Sequence, residues 1–296
     1  MRLALVTQRD LPEWEVDDRP FHAALASHGI EAVQEIWDDP EVAWGAYDGV
    51  LLRTVWDYFE KAPAFLAWSE EVAAESRLWN PVPVLRWNHD KRYLRELESV
   101  GFAIAPTEWF EADASDIEER LRARAWERAL LKPAVGATSI GTLRFQVDAA
   151  GMAKAKQQLS RQLRDCAQFV QQYQSSVETL GELSAIFLAG QFSHGIRKLP
   201  VSGDYRTQDD HGAKDEPYVI DSLELSVAKR LLRYVEERFE LEEPLLYARV
   251  DWLRGAGGEL LLNELELIEP SLFFRHSPRA AESLARELLR RLSESL

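Results

Sequence analysis

Two sets of residues have the types and spacing to handle a polyphosphate. The first is Leu130-Leu131-Lys132-Pro133 followed by AVGATSIG, an apolar strand that ends in a lysine and turns through Gly136, Thr138, Ser139 and Gly141. Glycines let backbone N–H groups approach phosphate oxygens closely, hydroxyls add donors, and the lysine supplies a point charge. The order differs from a P-loop, in which the lysine follows the glycines and opens a helix. Taken alone, the segment reads equally as a hairpin tip with a surface lysine. The second set is Asp251 in YARVDWL with Asn263-Glu264-Leu265-Glu266 in LLLNELELIEP. Period-two alternation puts Glu264 and Glu266 on one sheet face. Two carboxylates that close repel unless a cation lies between them, and hard oxygen donors favour Mg²⁺. A solvated strand face is the competing reading, and the apolar residues on either side argue against it.

A third group is cationic: His194-Gly195-Ile196-Arg197-Lys198, then Gly203-Asp204-Tyr205-Arg206, with Arg249 two residues before Asp251 and so on its face. Such cations could stabilise a developing phosphoryl or tetrahedral charge, although any one of them reads as well as ordinary surface basicity. Asp209, Asp210 and Lys214 follow in a stretch that reads as a lid or a polar loop. The six histidines show no metal-ligand spacing on a helix, and no Ser/His/Asp pattern occurs.

These residues sit on alternating strands and helices. Strands are predicted at Leu3–Thr7, Val33–Ile36 and Gly49–Arg53. Helices are predicted from Pro20 to a stop at Gly29, over Pro63–Ser76 and over His89–Val100. This start to the chain implies an α/β class with an open, largely parallel sheet. Helices are further expected over Asp116–Arg128 and Met152–Asp165. A β-rich part follows (Gln168–Tyr173, Leu183–Ala189, Gln191–Lys198, Tyr247–Leu253, Glu259–Ile268), flanked by amphipathic helices Ser222–Phe239 and Pro278–Leu292, giving α+β character to the C-terminal part. Arg53, Thr54, Asp57 and Tyr58 follow a strand end, where open sheets place ligands, and are expected at the substrate. Trp56 reads as a stacking wall or a core tryptophan, and Ser271 as a weaker substrate candidate.

Composition narrows the classes. The chain has 296 residues, 46% of them hydrophobic, and 50 acidic against 35 basic residues for a net charge of −15. Such a chain is repelled by a nucleic-acid backbone. No run approaches the roughly 20 apolar residues of a membrane span. The start MRLALVT reads as a strand rather than a signal peptide, so a cytoplasmic location is expected. Cys166 is the single cysteine, which rules out an intrachain disulfide and a thiolate metal cluster; it is expected as a small buried residue at a helix-to-strand junction.

Taken in order from about residue 80 to 275, these pieces resemble the ATP-grasp superfamily, which includes D-alanine–D-alanine ligase, bacterial glutathione synthetase and the glutamate ligases that extend protein tails. The texture of RTVWDYF, WNPVPVLRWNHDKRYL and IRKLPVSGDYRTQ is similar to that of the D-cycloserine-forming ligase group. The resemblance implies an ATP-grasp fold in three parts: 1–86 for substrate, 87–172 with the phosphate loop, and 173–296 with a metal site. It implies ATP with Mg²⁺ (or Mn²⁺) and a small amino-acid-like substrate, with a homodimer by analogy. Lys91 and Lys132 then match the nucleotide lysines, Gly136–Gly141 with Ser139 the loop over the phosphates, and Gln171-Gln172-Tyr173-Gln174 the adenine hinge. Glu182, with Glu178 as a rival, matches the ribose acid. Lys198 matches the cation near the γ-phosphate, and Asp251, Glu264 and Glu266 the metal triad, the last position being more often asparagine in the family. Arg249 resembles the arginine that steadies the tetrahedral intermediate, and Arg206 the one that holds the substrate carboxylate or acyl phosphate. The activity implied is ADP-forming ligation through an acyl phosphate, or activation of a ureido-like group for ring closure. A nucleotide-binding protein without ligase activity and a simple kinase are the competing readings.

Overall fold

The computed structural model describes residues 1–11, 16–208 and 211–294. Asp209 and Asp210 lie outside the described residues.

The first sheet is built from β1 (Arg2–Thr7), β2 (Glu31–Ile36), β3 (Gly49–Thr54) and β4 (Leu78–Trp79), all parallel in the order β2-β1-β3-β4. Parallel strands need crossovers that cover both faces, and β1 shows the result. Leu3 and Leu5 enter one core with Phe21 and Leu25 of α1 (Arg19–Ser27), while Ala4 and Val6 enter another with Trp37, Phe65 and Trp68. The second of these cores is closed by α2 (Ala62–Glu75) and by Leu85 of α3 (Val82–Asn88).

Next come α4 (Tyr93–Ser99), β5 (Thr107–Phe110), α5 (Ile117–Arg124), β6 (Arg128–Pro133), β7 (Leu143–Gln146), α6 (Ala149–Gln162) and β8 (Gln168–Gln172). Their strands form an antiparallel sheet ordered β5-β8-β6-β7. Leu131 and Val170 point to the core under α5 and α6. Lys132 and Gln171, one residue on, take the opposite face and line an open cleft.

The third sheet follows the short α7 (Val177–Leu180). It contains β9 (Glu182–Leu188), β10 (Gln191–Leu199), β11 (Lys214–Tyr218), β12 (Tyr247–Arg254) and β13 (Leu260–Glu266), antiparallel in the order β11-β10-β9-β12-β13. Leu183, Ala185, Val250, Trp252 and Leu265 pack on α8 (Ser222–Arg238) and α4. The helix α8 opens with a capping box between Asp221 and Glu224. The C-terminal helix α9 (Pro278–Ser293) crosses back to the first sheet, where Ala281, Leu284 and Leu288 join Leu3 and Leu5.

Four expectations change. The helix predicted over His89–Val100 begins at Tyr93, because the Asp90 carboxylate takes the Arg92 N–H at 2.9 Å and holds a turn there. Lys91 therefore sits in a turn, and its own N–H donates to Ala134 O at 2.7 Å. The helix predicted over Asp116–Arg128 stops at Arg124, since Ala125 takes a left-handed φ of 52° and Arg128 already belongs to β6. The polar stretch around Lys214 is an edge strand, not a loop. Cys166 does lie between α6 and β8, but half-buried.

The first sheet is tied to the third by two asparagines. Asn80, fully buried, donates to Tyr247 O at 3.0 Å and Leu267 O at 2.9 Å and accepts from Leu246 N. Asn88 donates to Leu265 O at 2.7 Å and accepts from Leu267 N. Buried backbone groups left without partners cost about 1–3 kcal/mol each. Asn80→Ala should therefore destabilise the protein by about 3 kcal/mol or more, measured by urea denaturation. Nearby, burial lowers the His22 imidazole from 6.5 to about 4 against the attraction of Asp18. The folded state keeps this ring neutral while the unfolded chain protonates near 6.5, so its contribution is lost as pH falls from 6.5 towards 4. His22→Gln should show a shallower loss of stability than the parent over that window.

Candidate active site

A cleft of about 280 Å³ opens between the second and third sheets and reaches the C-terminal end of β3. Register explains how its charged wall is built. On β12, Arg249 stands opposite Glu266 and Asp251 opposite Glu264 of β13; on the other side Asp251 faces Ser184, and Lys198 of β10 faces Glu182 of β9. The irregularity between Asp251 and Trp252 brings Asn263 to the cleft along with Glu264.

The pairs are tight. Lys198 Nζ lies 2.7 Å from Glu182 Oε2 and 3.0 Å from Asp251 Oδ2. Arg249 meets Asp251 at 3.0 Å, contacts Glu266 closely, and donates to Ser271 O at 3.2 Å. Ser184 donates to Asp251 at 2.6 Å. Burial pushes the Asp251 carboxyl up, but Arg249 and Lys198 outweigh it and hold it down to about 2. For Lys198, burial is likewise outweighed by Asp251 and Glu182, and its ammonium is stabilised. Burial, reinforced by Asp251 and Glu264 against the pull of Arg249, pushes Glu266 up to about 7. Burial and the Glu266 charge push Glu269 up to about 8.

The opposite wall belongs to the second sheet. Lys132 donates to Gln171 Oε1 at 3.1 Å and Asn263 Oδ1 at 3.4 Å, and burial lowers its ammonium pKa. Lys91 donates to Gly136 O at 2.6 Å and sits 3.7 Å from Glu264, so it bridges the glycine loop and the acidic strand. In that loop Gly141 has φ of +75°, the left-handed region that glycine enters at low cost. Thr138 and Ser139 are also left-handed, and Ser139 Oγ donates to Gln208 at 3.2 Å. Gln172, Tyr173 and Gln174 line the cleft, with Gln174 donating to Gln172 O at 3.3 Å. Glu182 accepts from Thr207 at 2.7 Å and from Asn263.

Most residues singled out in the sequence meet here: Lys91, Lys132, Gly136, Ser139, Gln171 to Gln174, Glu182, Lys198, Arg206, Arg249, Asp251, Glu264, Glu266, Tyr58 and Ser271 all line the cleft. Gly141 does not line it; it anchors the loop through its carbonyl, which accepts from Gln158 at 2.7 Å. Arg206 is half-exposed and paired with Asp204 at 2.6 Å. The rival ribose acid Glu178 faces elsewhere, towards Tyr173 Oη, Arg128 and Arg144. Arg197, on the other face of β10 from Lys198, pairs with Glu216.

Three substrate candidates are not in the wall. Arg53 is buried in a two-pronged pair with Asp18 at 2.8 and 2.9 Å, where removing either charge would strand the other. Thr54 donates to Thr7 Oγ1 at 2.7 Å, and Asp57 accepts from Trp37 Nε1 at 2.8 Å. Trp56, by contrast, is half-buried and lines the cleft. Asn88, Tyr93, Thr207, Glu269 and Phe273 join the wall without a sequence signal. Asn88 closes α3 and Tyr93 opens α4, while Thr207, Glu269 and Phe273 lie beyond strand ends; at such ends periodicity does not say which way a side chain points.

Among the described residues, no three His, Cys, Asp or Glu side chains form a ready-made metal cage. The donors present are hard carboxylate oxygens. Glu264 and Glu266 reach the cleft, and the burial that resists ionisation of Glu266 is what a nearby divalent cation would relieve. Two carboxylates completed by phosphate oxygens are the usual manner of holding Mg²⁺, so the residues fit that ion only together with a bound polyphosphate. No helix among the described residues is long and apolar enough to cross a membrane.

Comparison with known proteins agrees with this geometry. Residues 3–80 match the family described as the N-terminal domain of D-cycloserine synthetase DcsG. The chain is 34% identical over 301 residues to the cycloserine biosynthesis protein DcsG of Streptomyces lavendulae, covering 98% of each. It superposes on the crystal structure of D-cycloserine synthetase DcsG with a TM-score of 0.89 at 32% identity, covering 99% of this chain and 100% of that one. The fold is shared more distantly with the ATP-grasp ligase PsnB, solved with a precursor variant, Mg and ADP (TM-score 0.65, 16% identity, 98% of each chain). The same holds for a RimK-domain ATP-grasp protein of Sphaerobacter thermophilus (TM-score 0.66, 16% identity, 98% of this chain and 100% of that one). With a full-length relative above 30% identity and one continuous cleft of this build, the chain belongs to the ATP-dependent, ADP-forming ligases of the ATP-grasp superfamily, within the D-cycloserine synthetase group.

Proposed function

We propose that this ligase takes an amino-acid-like acid, activates it by phosphoryl transfer from ATP in the presence of Mg²⁺, and closes it on its own nitrogen to give a small cyclic product. The observation that carries the reading is the meeting of Lys91 and Lys132 from one side with Lys198, Arg249, Asp251, Glu264 and Glu266 from the other, in one cleft. The cyclising outcome is supported by the near full-length likeness to a D-cycloserine biosynthesis protein. Joining the acid to a separate amine is the second reading.

In this reading Gln171 to Gln174 and Glu182 hold the nucleoside, with the backbone of the hinge on the adenine and the Glu182 carboxylate on the ribose. Lys91 and Lys132 neutralise the inner phosphates, and the Gly136–Gly141 loop with Ser139 covers them. Lys198 lies nearest the terminal phosphate. Glu264 and Glu266 would hold Mg²⁺ (or Mn²⁺), which would supply charge neutralisation at the transferring phosphoryl group; Asp251, paired with Arg249 and Lys198, would join them only by giving up one of those partners. The substrate carboxylate oxygen attacks the γ-phosphorus and ADP leaves. The nitrogen nucleophile then attacks the carbonyl, and phosphate leaves as the nitrogen gives up its proton. Arg249, which must give up its contact with Glu266 to reach the new oxyanion, stabilises the charge that develops there. Arg206 holds the acyl phosphate or carboxylate from the cleft mouth once it leaves Asp204. Positioning and electrostatics do the work, as in other phosphoryl transfers. Phosphorylation of a ureido group would use the same residues. The three-part division at residues 86 and 172 is proposed to correspond to substrate, loop-bearing and metal-bearing parts.

The direct test is ADP release over a panel of D- and L-amino acids and their O-amino and O-ureido derivatives, with products weighed by mass spectrometry. A product lighter than the acid by one water, formed without a second substrate, is expected for the carboxylate route. A condensed two-part product would favour the second reading, and a stable phospho-compound would overturn both. Arg249→Lys keeps the charge but not the fork; kcat should fall about 100-fold while MgATP affinity stays within about threefold. Arg206→Ala should also lower turnover with MgATP binding nearly intact. Full activity in either variant removes that arginine from the mechanism.

A further inference from the structure

Beyond the end of β13, the cleft wall contains a carboxylate to which the phosphoryl chemistry gives no task. Glu269 lines the cleft beside Trp56 and Tyr58, which arrive from the end of β3, and beside Ser271 and Phe273. Trp56 is fixed there by its indole N–H, which donates to the Glu269 carbonyl at 3.3 Å, and Tyr58 is buried. The other carboxylates in the wall have partners: Glu182 and Asp251 share Lys198, Glu266 has Arg249, and Glu264 has Lys91. Among the described residues, the Glu269 carboxylate has no ion pair and no hydrogen bond from another side chain; it meets only its own backbone N–H. A half-buried carboxylate in that position is costly unless something positive arrives with the ligand.

Charge balance points the same way. Within the wall, carboxylates already match or exceed the cations available to them, since Arg206 is neutralised by Asp204 outside it. A triphosphate with a single divalent ion still brings net negative charge. The flanking Trp56 and Tyr58 are aromatic, and aromatic rings attract a cation more than an anion.

We infer that Glu269, walled by Trp56 and Tyr58, is the subsite for the ammonium group of the substrate and selects acids that carry a free primary amine. This deepens the ligase reading and rests on it for the word substrate. Anchoring the ammonium at Glu269 leaves the acid end of a small amino acid to face Arg249 and the phosphoryl group, so one contact sets both selection and direction. Glu269 acts here as a binding and specificity residue and takes no proton in the reaction.

Binding to the full chain saturated with MgADP tests the subsite, by calorimetry or tryptophan fluorescence. The probes are D-cycloserine, a primary amine on a five-membered cyclic hydroxamate, and isoxazolidin-3-one, the same ring without the amine; D-serine and D-glycerate form a second pair. The parent protein should prefer the amine member by about tenfold or more, the size of one charge-assisted contact. Glu269→Gln should reduce that preference to within about twofold, Glu269→Asp should restore part of it, and MgADP affinity and its Mg²⁺ dependence should not move. The inference is overturned if the parent shows no amine preference with either pair, or if Glu269→Gln keeps it. It is equally overturned if the variant loses Mg²⁺-dependent nucleotide affinity, because Glu269 would then be a metal ligand. Absence of ADP release from the parent with every acid would sink the ligase reading separately, since this comparison reads binding alone.

Discussion

Buried opposite charges set in register across β9, β10, β12 and β13 are the constraint on which the rest of the molecule turns. One face of that sheet is apolar and packs on α8 and α4. Its other face carries Glu182, Lys198, Arg249, Asp251 and Glu266, most of them nearly inaccessible to water. Burying ions in this way is tolerated only where each meets its opposite with good geometry. The ladder supplies that geometry, because cross-strand neighbours stand close enough to pair. A slip of one residue would turn the charges into the core and Leu183, Val250 and Leu265 into the cleft. The site and the stability of the sheet therefore depend on the same register.

The arrangement also explains why the cleft is poised for a polyanion and not merely compatible with one. Lys198 and Arg249 are held by carboxylates that resist, or are made to tolerate, ionisation at close quarters. Glu266 is the strained member, pushed up to about 7 by burial and by its acidic neighbours. Lys132 is the opposite case, a cation whose pKa burial lowers. Phosphate oxygens beside Lys132 and a divalent ion beside Glu266 would each relieve an existing cost. Recognition of the nucleotide and its metal is in this sense prepared before either binds.

Position along the wall separates tasks. The glycine loop and hinge come from the small second sheet, and the charged ladder from the third. The aromatic end of the cleft comes from β3 of the first sheet together with the segment after β13. Asn80 and Asn88 hold the first sheet on the third through buried backbone groups. The aromatic end is thus kept at a set distance from the ladder.

The alternation of Glu264, Leu265 and Glu266, the lysine ending an apolar strand before a glycine loop, and the face shared by Arg249 and Asp251 were all legible in the amino-acid order, because period two is a local property of a strand. Local order also determined the α/β start and the acidic net charge. Only the tertiary structure decided that Arg53 is taken by Asp18 from 35 positions away, that Lys91 lies in a turn and bridges loop to ladder, and that Arg206 is held by Asp204 at the cleft mouth. The same is true of the Glu269 carboxylate, which no other side chain pairs beside Trp56. Those outcomes depend on which distant side chain arrives at a given point, and on side-chain direction past the end of a strand. Both are set by packing between sheets, and no periodicity along the chain encodes them.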